Sequence, residues 1–152
     1  MAVRTIRLAL ALLCGAFVVS GCAGAVRVSP QPVASNQPGC PAVLAELPKV
    51  VSDAKRRGIT PSDASAAAWG RTPIVLTCGV PRPRALTPTS ELLTVNGVDW
   101  LSQTLSSGVR FTLVSRTPRV QVDVPNQYSP EINALVDLSD AIKKTTEVTP
   151  AL

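Results

Sequence analysis

The sequence predicts an α+β domain: an antiparallel sheet of four or five strands with helices packed on one face. Three observations carry that prediction. Apolar and polar residues alternate with a period of two through residues 91–101 and 108–124, and Asn96-Gly97 interrupts the first of these runs. Near the C-terminus, apolar residues at helical spacing follow Ser129-Pro130-Glu131. Finally, 14 prolines against 9 glycines hold much of the chain in extended or turn conformations, which argues against an all-helical bundle. Aromatic residues make up only 3% of the chain, so the core must be built from Val, Leu, Ile and Ala, with Trp69 and Trp100 as its largest members.

The chain begins with the order of an export signal. Arg4 and Arg7 precede a 12-residue apolar stretch, residues 8–19, and small residues follow. Residues 1–21 therefore read as a signal peptide. The stretch is shorter than the roughly 20 apolar residues that cross a bilayer. The absence of charge between Arg7 and Arg27 keeps a single N-terminal transmembrane anchor, or simple secretion, as alternatives. Val19-Ser20-Gly21-Cys22 resembles the end of a bacterial lipoprotein signal: an aliphatic residue, two small ones, and a Cys that is alkylated by diacylglycerol before cleavage on its amino side. Cys22 is thus the expected lipidation site, and the chain is expected at the outer face of a cell membrane. Residues 22–39 carry prolines with Ser, Gln, Asn and Gly and no periodicity, which predicts a flexible linker.

Residues 40–146 are expected to form the single domain. Val43, Leu44, Leu47, Val50 and Val51 fall at helical spacing, so a first helix is predicted from Pro41 to the Arg56-Arg57-Gly58 stop, with a kink at Pro48. Thr60-Pro61-Ser62-Asp63 predicts a capped start for a short second helix running through Ala68. Ile74-Val75-Leu76-Thr77-Cys78, closed by Gly79, predicts a buried strand, and Pro81-Arg82-Pro83-Arg84 an extended segment outside any ladder. Asn96-Gly97 predicts a type I′ hairpin that sets Val95 against Val98 and Leu93 against Trp100, with Thr94 and Asp99 on the other side. A second hairpin bends at Arg116-Thr117-Pro118. It turns Phe111, Leu113, Val120, Val122 and Val124 to one face and Thr112, Gln121 and Asp123 to the other. A last helix is predicted from Ser129-Pro130-Glu131, with Ile132, Leu135, Val136 and Ile142 as its apolar stripe and Lys143 and Lys144 near its end. Residues 147–152 are expected to fray.

Of the 4 cysteines, Cys14 would leave with the leader and Cys22 would carry lipid, so Cys40 and Cys78 are left to pair in an oxidising compartment. Such a bridge would stabilise the domain by roughly 4 kcal/mol. Two buried free thiols are the alternative. With 0 His and no CxxC, neither a zinc site nor a thioredoxin-type centre is supported, and no metal or cofactor is expected. The net charge of +5 includes Arg4 and Arg7. Setting them aside from the 15 Lys and Arg leaves 13 against 10 acidic residues, a net of +3, too weak to propose nucleic acid as a partner.

Three stretches carry a family resemblance: Ala67-Ala68-Trp69-Gly70-Arg71-Thr72-Pro73-Ile74-Val75-Leu76-Thr77-Cys78-Gly79-Val80-Pro81, then Val95-Asn96-Gly97-Val98-Asp99-Trp100, then Arg116-Thr117-Pro118-Arg119-Val120-Gln121-Val122-Asp123-Val124-Pro125. They resemble a family of actinobacterial envelope proteins catalogued as domain of unknown function 3515. The resemblance implies an exported or membrane-associated protein and brings no catalytic residue with it.

The absence of His removes the usual serine triad, which leaves carboxylates, Lys or Arg for any chemistry. Asp99 and Asp123 are the candidate acid pair. Hydrated acids on a solvent face are the plainer reading of both. Lys49 and Lys55 lack the SxxK spacing of a Ser-Lys dyad. Binding is the more natural role. Arg71, Arg82, Arg84, Arg110, Arg116 and Arg119 could grip phosphate, carboxylate or an acidic envelope partner, and Trp69 could offer a stacking surface. The expected function is therefore that of a non-catalytic, partner-binding accessory lipoprotein. A lipoprotein that binds a small ligand or glycan is the second reading, and a carboxylate-dependent enzyme the third.

Overall fold

The computed structural model describes residues 24–29 and 37–151; the expected leader, residues 1–21, and Cys22 lie outside them. In chain order the elements are β1 (Val26–Arg27), α1 (Cys40–Glu46), β2 (Val50–Val51), β3 (Ala54–Arg57), β4 (Ile59–Thr60), β5 (Ala66–Trp69), β6 (Ile74–Cys78), β7 (Leu93–Val95), β8 (Val98–Leu105), β9 (Gly108–Leu113), β10 (Arg116–Thr117), β11 (Val120–Pro125), a short 3₁₀ turn (Asn126–Tyr128), α2 (Asn133–Thr145) and β12 (Glu147–Val148). One 8-stranded sheet runs in the order β2-β3-β5-β6-β11-β9-β8-β7, with every neighbouring pair antiparallel. Both helices lie on one face, as predicted, but the sheet is larger than the predicted four or five strands.

The additional strands come from the N-terminal half, where helices were expected. The first helix ends at Glu46 rather than Gly58. Pro48 disfavours the α conformation at the residue before it, and Leu47 is extended at ψ 137. The β-branched Val50 and Val51 then begin a hairpin whose turn residues, Ser52 and Asp53, take positive φ. The expected second helix is instead β4, a turn and β5. Alanine favours helices in isolation, yet Ala66, Ala67, Ala68 and Trp69 are all buried. Between β3 and β6, small side chains let other elements approach the sheet closely from both faces. Tertiary burial overrides intrinsic propensity there.

The C-terminal half follows its alternation. Asn96 (φ 50) and Gly97 (φ 79) form the predicted turn, and Val95 pairs with Val98, Thr94 with Asp99 and Leu93 with Trp100. Val122 lies between Leu76 and Phe111, and Gln121 between Thr77 and Thr112, so the apolar members of both hairpins share the helix face. There Trp69, Ile74, Leu76, Trp100, Leu113, Leu135, Leu138 and Ile142 are fully buried. The disulfide is present: Cys40 at the start of α1 joins Cys78 at the end of β6, with their Cα atoms 5.7 Å apart. In α2 the stripe is formed by Ala134, Leu135, Leu138, Ala141 and Ile142, whereas Val136, expected inside, is 48% exposed.

The described parts of two segments expected to be loose, residues 24–29 and 147–151, make ordered contacts. Val26 and Arg27 run parallel to Ile59 and Thr60, and Val26 and Val28 are buried against Ala66 and Ala68 on the face opposite the helices. In the tail, Thr117 pairs with Glu147 and Arg116 with Val148, and the Thr149 amide donates to the Ser115 carbonyl at 2.8 Å. The folded unit therefore extends beyond residues 40–146 at both ends.

Candidate functional site: an arginine cleft under a proline strap

The outer face of the sheet is polar in its middle. Alternation turns Gln103, Arg110 and Asp123 to this side in one row across β8, β9 and β11, with Leu101, Thr112 and Gln121 in the next. Gly79, at φ 79, turns the chain out of β6, and residues 80–92 cross this face. Pro81 and Pro83 have no N–H to give a ladder, so the segment stays above the sheet as a strap. It is fixed at two places. The Gly79 and Val80 amides donate to the Arg119 carbonyl at 2.7 and 3.2 Å, and Leu86 is buried against Leu101 and Val114, with Ala151 packed beside them.

Between strap and sheet lies a cleft of about 570 Å³, lined by Arg82, Arg84 and Arg110 with Gln103, Thr112 and Gln121. Its nearest acid is already satisfied: Asp123 accepts from Arg110 Nε at 2.8 Å and from a terminal nitrogen at 2.7 Å, and from Gln121 Nε2 at 3.3 Å. The hydrogen bond to Asp123 pushes the Arg110 pKa up, against the opposing effect of burial. Among the described residues the side chains of Arg82 and Arg84 have no hydrogen bond or ion pair. Arg119 stands close enough to Arg82 to feel its charge. Burial first, and then that charge, push the Arg119 pKa down, and its Nε is buried with no partner among the described residues. The cleft is thus a concentration of guanidinium donors with one carboxylate, itself held in a bidentate pair.

Set against this geometry, the chain matches over residues 2–151 the family described as "Protein of unknown function (DUF3515)". The chain belongs to that family. No curated protein and no solved structure matches it. For this DUF3515 protein, chemistry must therefore be read from the placement of its own side chains.

The candidate residues divide into two groups. Arg82, Arg84 and Arg110 meet in the cleft, with Arg119 beside it. Arg116 and Arg71 do not. Arg116 is a structural clamp: it donates to Thr146 Oγ1 at 2.8 Å, to the Thr146 carbonyl at 3.0 Å and to the Lys143 carbonyl at 3.2 Å, satisfying the end of α2. Arg71 lies in the β5–β6 turn near Lys55 and Arg57. Trp69 offers no stacking surface. It is fully buried, donates to the Pro48 carbonyl at 3.0 Å, and carries the Arg56 guanidinium 5.6 Å from its ring centre. Asp99 accepts from Thr94 Oγ1 at 2.7 Å, four residues along β8 from Gln103, while Asp123 is engaged by Arg110. The two acids are not brought together. Among the described residues no cluster of three His, Cys, Asp or Glu could hold a metal.

Gln103 was not singled out from the sequence, although its signal was present. Val98 and Trp100 face the helices, so residues 99, 101 and 103 must face outward, beside Thr112 and Gln121.

Proposed function

We propose that this protein is an exported envelope lipoprotein that binds and does not catalyse, its strap cleft taking a phosphate or carboxylate presented by an envelope partner. The observation that carries the reading is the gathering of Arg82 and Arg84, with no ion pair among the described residues, in one cleft with Arg110, whose own charge is met by Asp123 beside it. Guanidinium forks match oxyanions in pairs. Arg119 Nε, buried beside Arg82 with no partner among the described residues, adds a donor whose burial an anionic oxygen would offset.

Capture from intact membranes with mild cross-linking tests this, comparing the native protein with an Arg82→Ala/Arg84→Ala variant. A partner lost from the variant is the expected outcome. An identical set of captured proteins would remove the two arginines from the account. The small-ligand or glycan reading draws on the cleft volume of about 570 Å³, which lies within the range of small-molecule sites. Under that reading the purified protein binds an anionic sugar or phosphate ester by calorimetry, with no second protein needed. Lipidation is tested separately: labelled fatty acid should be incorporated into the native chain and not into Cys22→Ala.

A further inference from the structure

From Gly24 to Val28 the chain is docked onto the domain. Gly24 presents its carbonyl to the Arg57 guanidinium, Val26 and Arg27 pair with β4, and Val26 and Val28 are buried on the sheet. Only two residue steps separate Cys22 from Gly24, at most about 7 Å of extended chain. A Cys bearing acyl chains sits at the headgroup level of a bilayer. Whatever surrounds Gly24 therefore lies within roughly one Debye length, ~8 Å at physiological salt, of the headgroups.

That surrounding is basic. A hollow of about 460 Å³ at this corner is lined by Lys55, Arg56, Arg57 and Arg71 with Gly58 and Gly70, with no acid among the described residues that line it. Arg57 also donates to the Gly70 carbonyl at 3.1 Å, so the side chain that holds Gly24 belongs to the hollow itself. Arg56 is engaged by the Leu44 and Leu47 carbonyls at the end of α1. Lys55 and Arg71, and Arg27 on β1, are exposed and form no ion pair among the described residues.

We infer that this corner is a membrane-docking face, where Lys55, Arg57 and Arg71, joined by Arg27, lie against anionic phospholipid headgroups. One lipid anchor and one basic patch are the two signals that together hold a protein firmly and in a fixed orientation. The β3 side of the sheet then turns toward the bilayer. The cleft strands β8 and β9, four and more strand spacings away, stand about 20 Å further out. The inference rests on anchorage at Cys22.

Its test uses the full-length lipidated protein on vesicles of phosphatidylcholine alone and of phosphatidylcholine with phosphatidylglycerol. A water-soluble acetylating reagent is applied, and the Lys55 peptide is read against Lys143 and Lys144. Lys55 should be protected several-fold on the anionic vesicles only. That protection should vanish in high salt and in an Arg27→Glu/Arg71→Glu variant whose thermal unfolding is unchanged. Equal reactivity of Lys55 on both vesicles overturns the inference. So does protection seen in intact cells but on neither vesicle, which would assign the patch to an acidic protein. The mass of the N-terminal peptide, read in the same samples, reports anchorage separately. Should it carry no lipid, the lipoprotein reading fails and the unlipidated chain is sedimented with the same vesicles. Salt-reversible binding to the anionic ones would uphold the docking face, and no binding would overturn it.

Discussion

On one face of the sheet Trp69, Leu76, Trp100, Leu113, Val120 and Val122 are covered by two helices and fully buried; on the other, strands β8, β9 and β11 hold Gln103, Arg110, Gln121 and Asp123 beside a proline strap. A period of two separates these environments by a single residue step. The difference lies in what covers each face. The helix layer is tied to the sheet by a disulfide and excludes water. The strap is held to the sheet at Gly79–Val80 and at Leu86 and leaves an open, cationic gap between. Stability is therefore expected to reside in one face and recognition in the other.

Substitutions can test that division. Trp100→Ala, on the helix face, should cost about 3–5 kcal/mol in urea unfolding, since a fully buried indole leaves a cavity that flanking strands cannot close. A loss under about 1 kcal/mol would mean the helix layer is not the stabilising one. Removing the bridge with Cys40→Ala/Cys78→Ala should cost about 2–5 kcal/mol, read as a lowered unfolding midpoint without reductant. Gly70→Ala should cost about 2 kcal/mol: its φ is +81, and an added methyl would run into the Tyr128 hydroxyl. Arg116→Ala should cost about 1–2 kcal/mol, because the Lys143 and Thr146 carbonyls lose their donor; this sets a structural arginine apart from those of the cleft. The smallest effect belongs to Arg82→Ala/Arg84→Ala, within about 0.5 kcal/mol of the native protein, together with loss of the captured partner. A large stability loss in that variant would make the strap arginines structural and merge the two faces.

The order of legibility along the chain has a physical cause. The Asn96-Gly97 hairpin and the alternation through Val124 were readable because a two-residue turn fixes register and register fixes faces. The pairing of Cys40 with Cys78 was readable because the expected leader and lipid site set the other two thiols aside, leaving these two as partners. Val50 and Val51 read as helix because their spacing suits either structure, and only the restriction imposed by Pro48 separates the two. Within the candidate site, the arginines were visible as residue types. Type alone could not distinguish Arg116, which closes a helix end, from Arg82, which faces an open cleft.

The sequence by itself determined what depends on neighbours in the chain: the Asn96-Gly97 turn, the inward and outward faces of the C-terminal strands, the proline-rich segment that cannot join a ladder, and a C-terminal helix with Leu135 and Ile142 on its buried side. The tertiary structure alone decided that the alanines of β5 form a strand, that Val26–Arg27 docks beside β4, and which guanidinium groups share a cleft. Local preferences are worth tenths of a kcal/mol per residue, whereas burial between distant segments is worth kcal/mol per side chain, so where the two conflict the distant partner prevails.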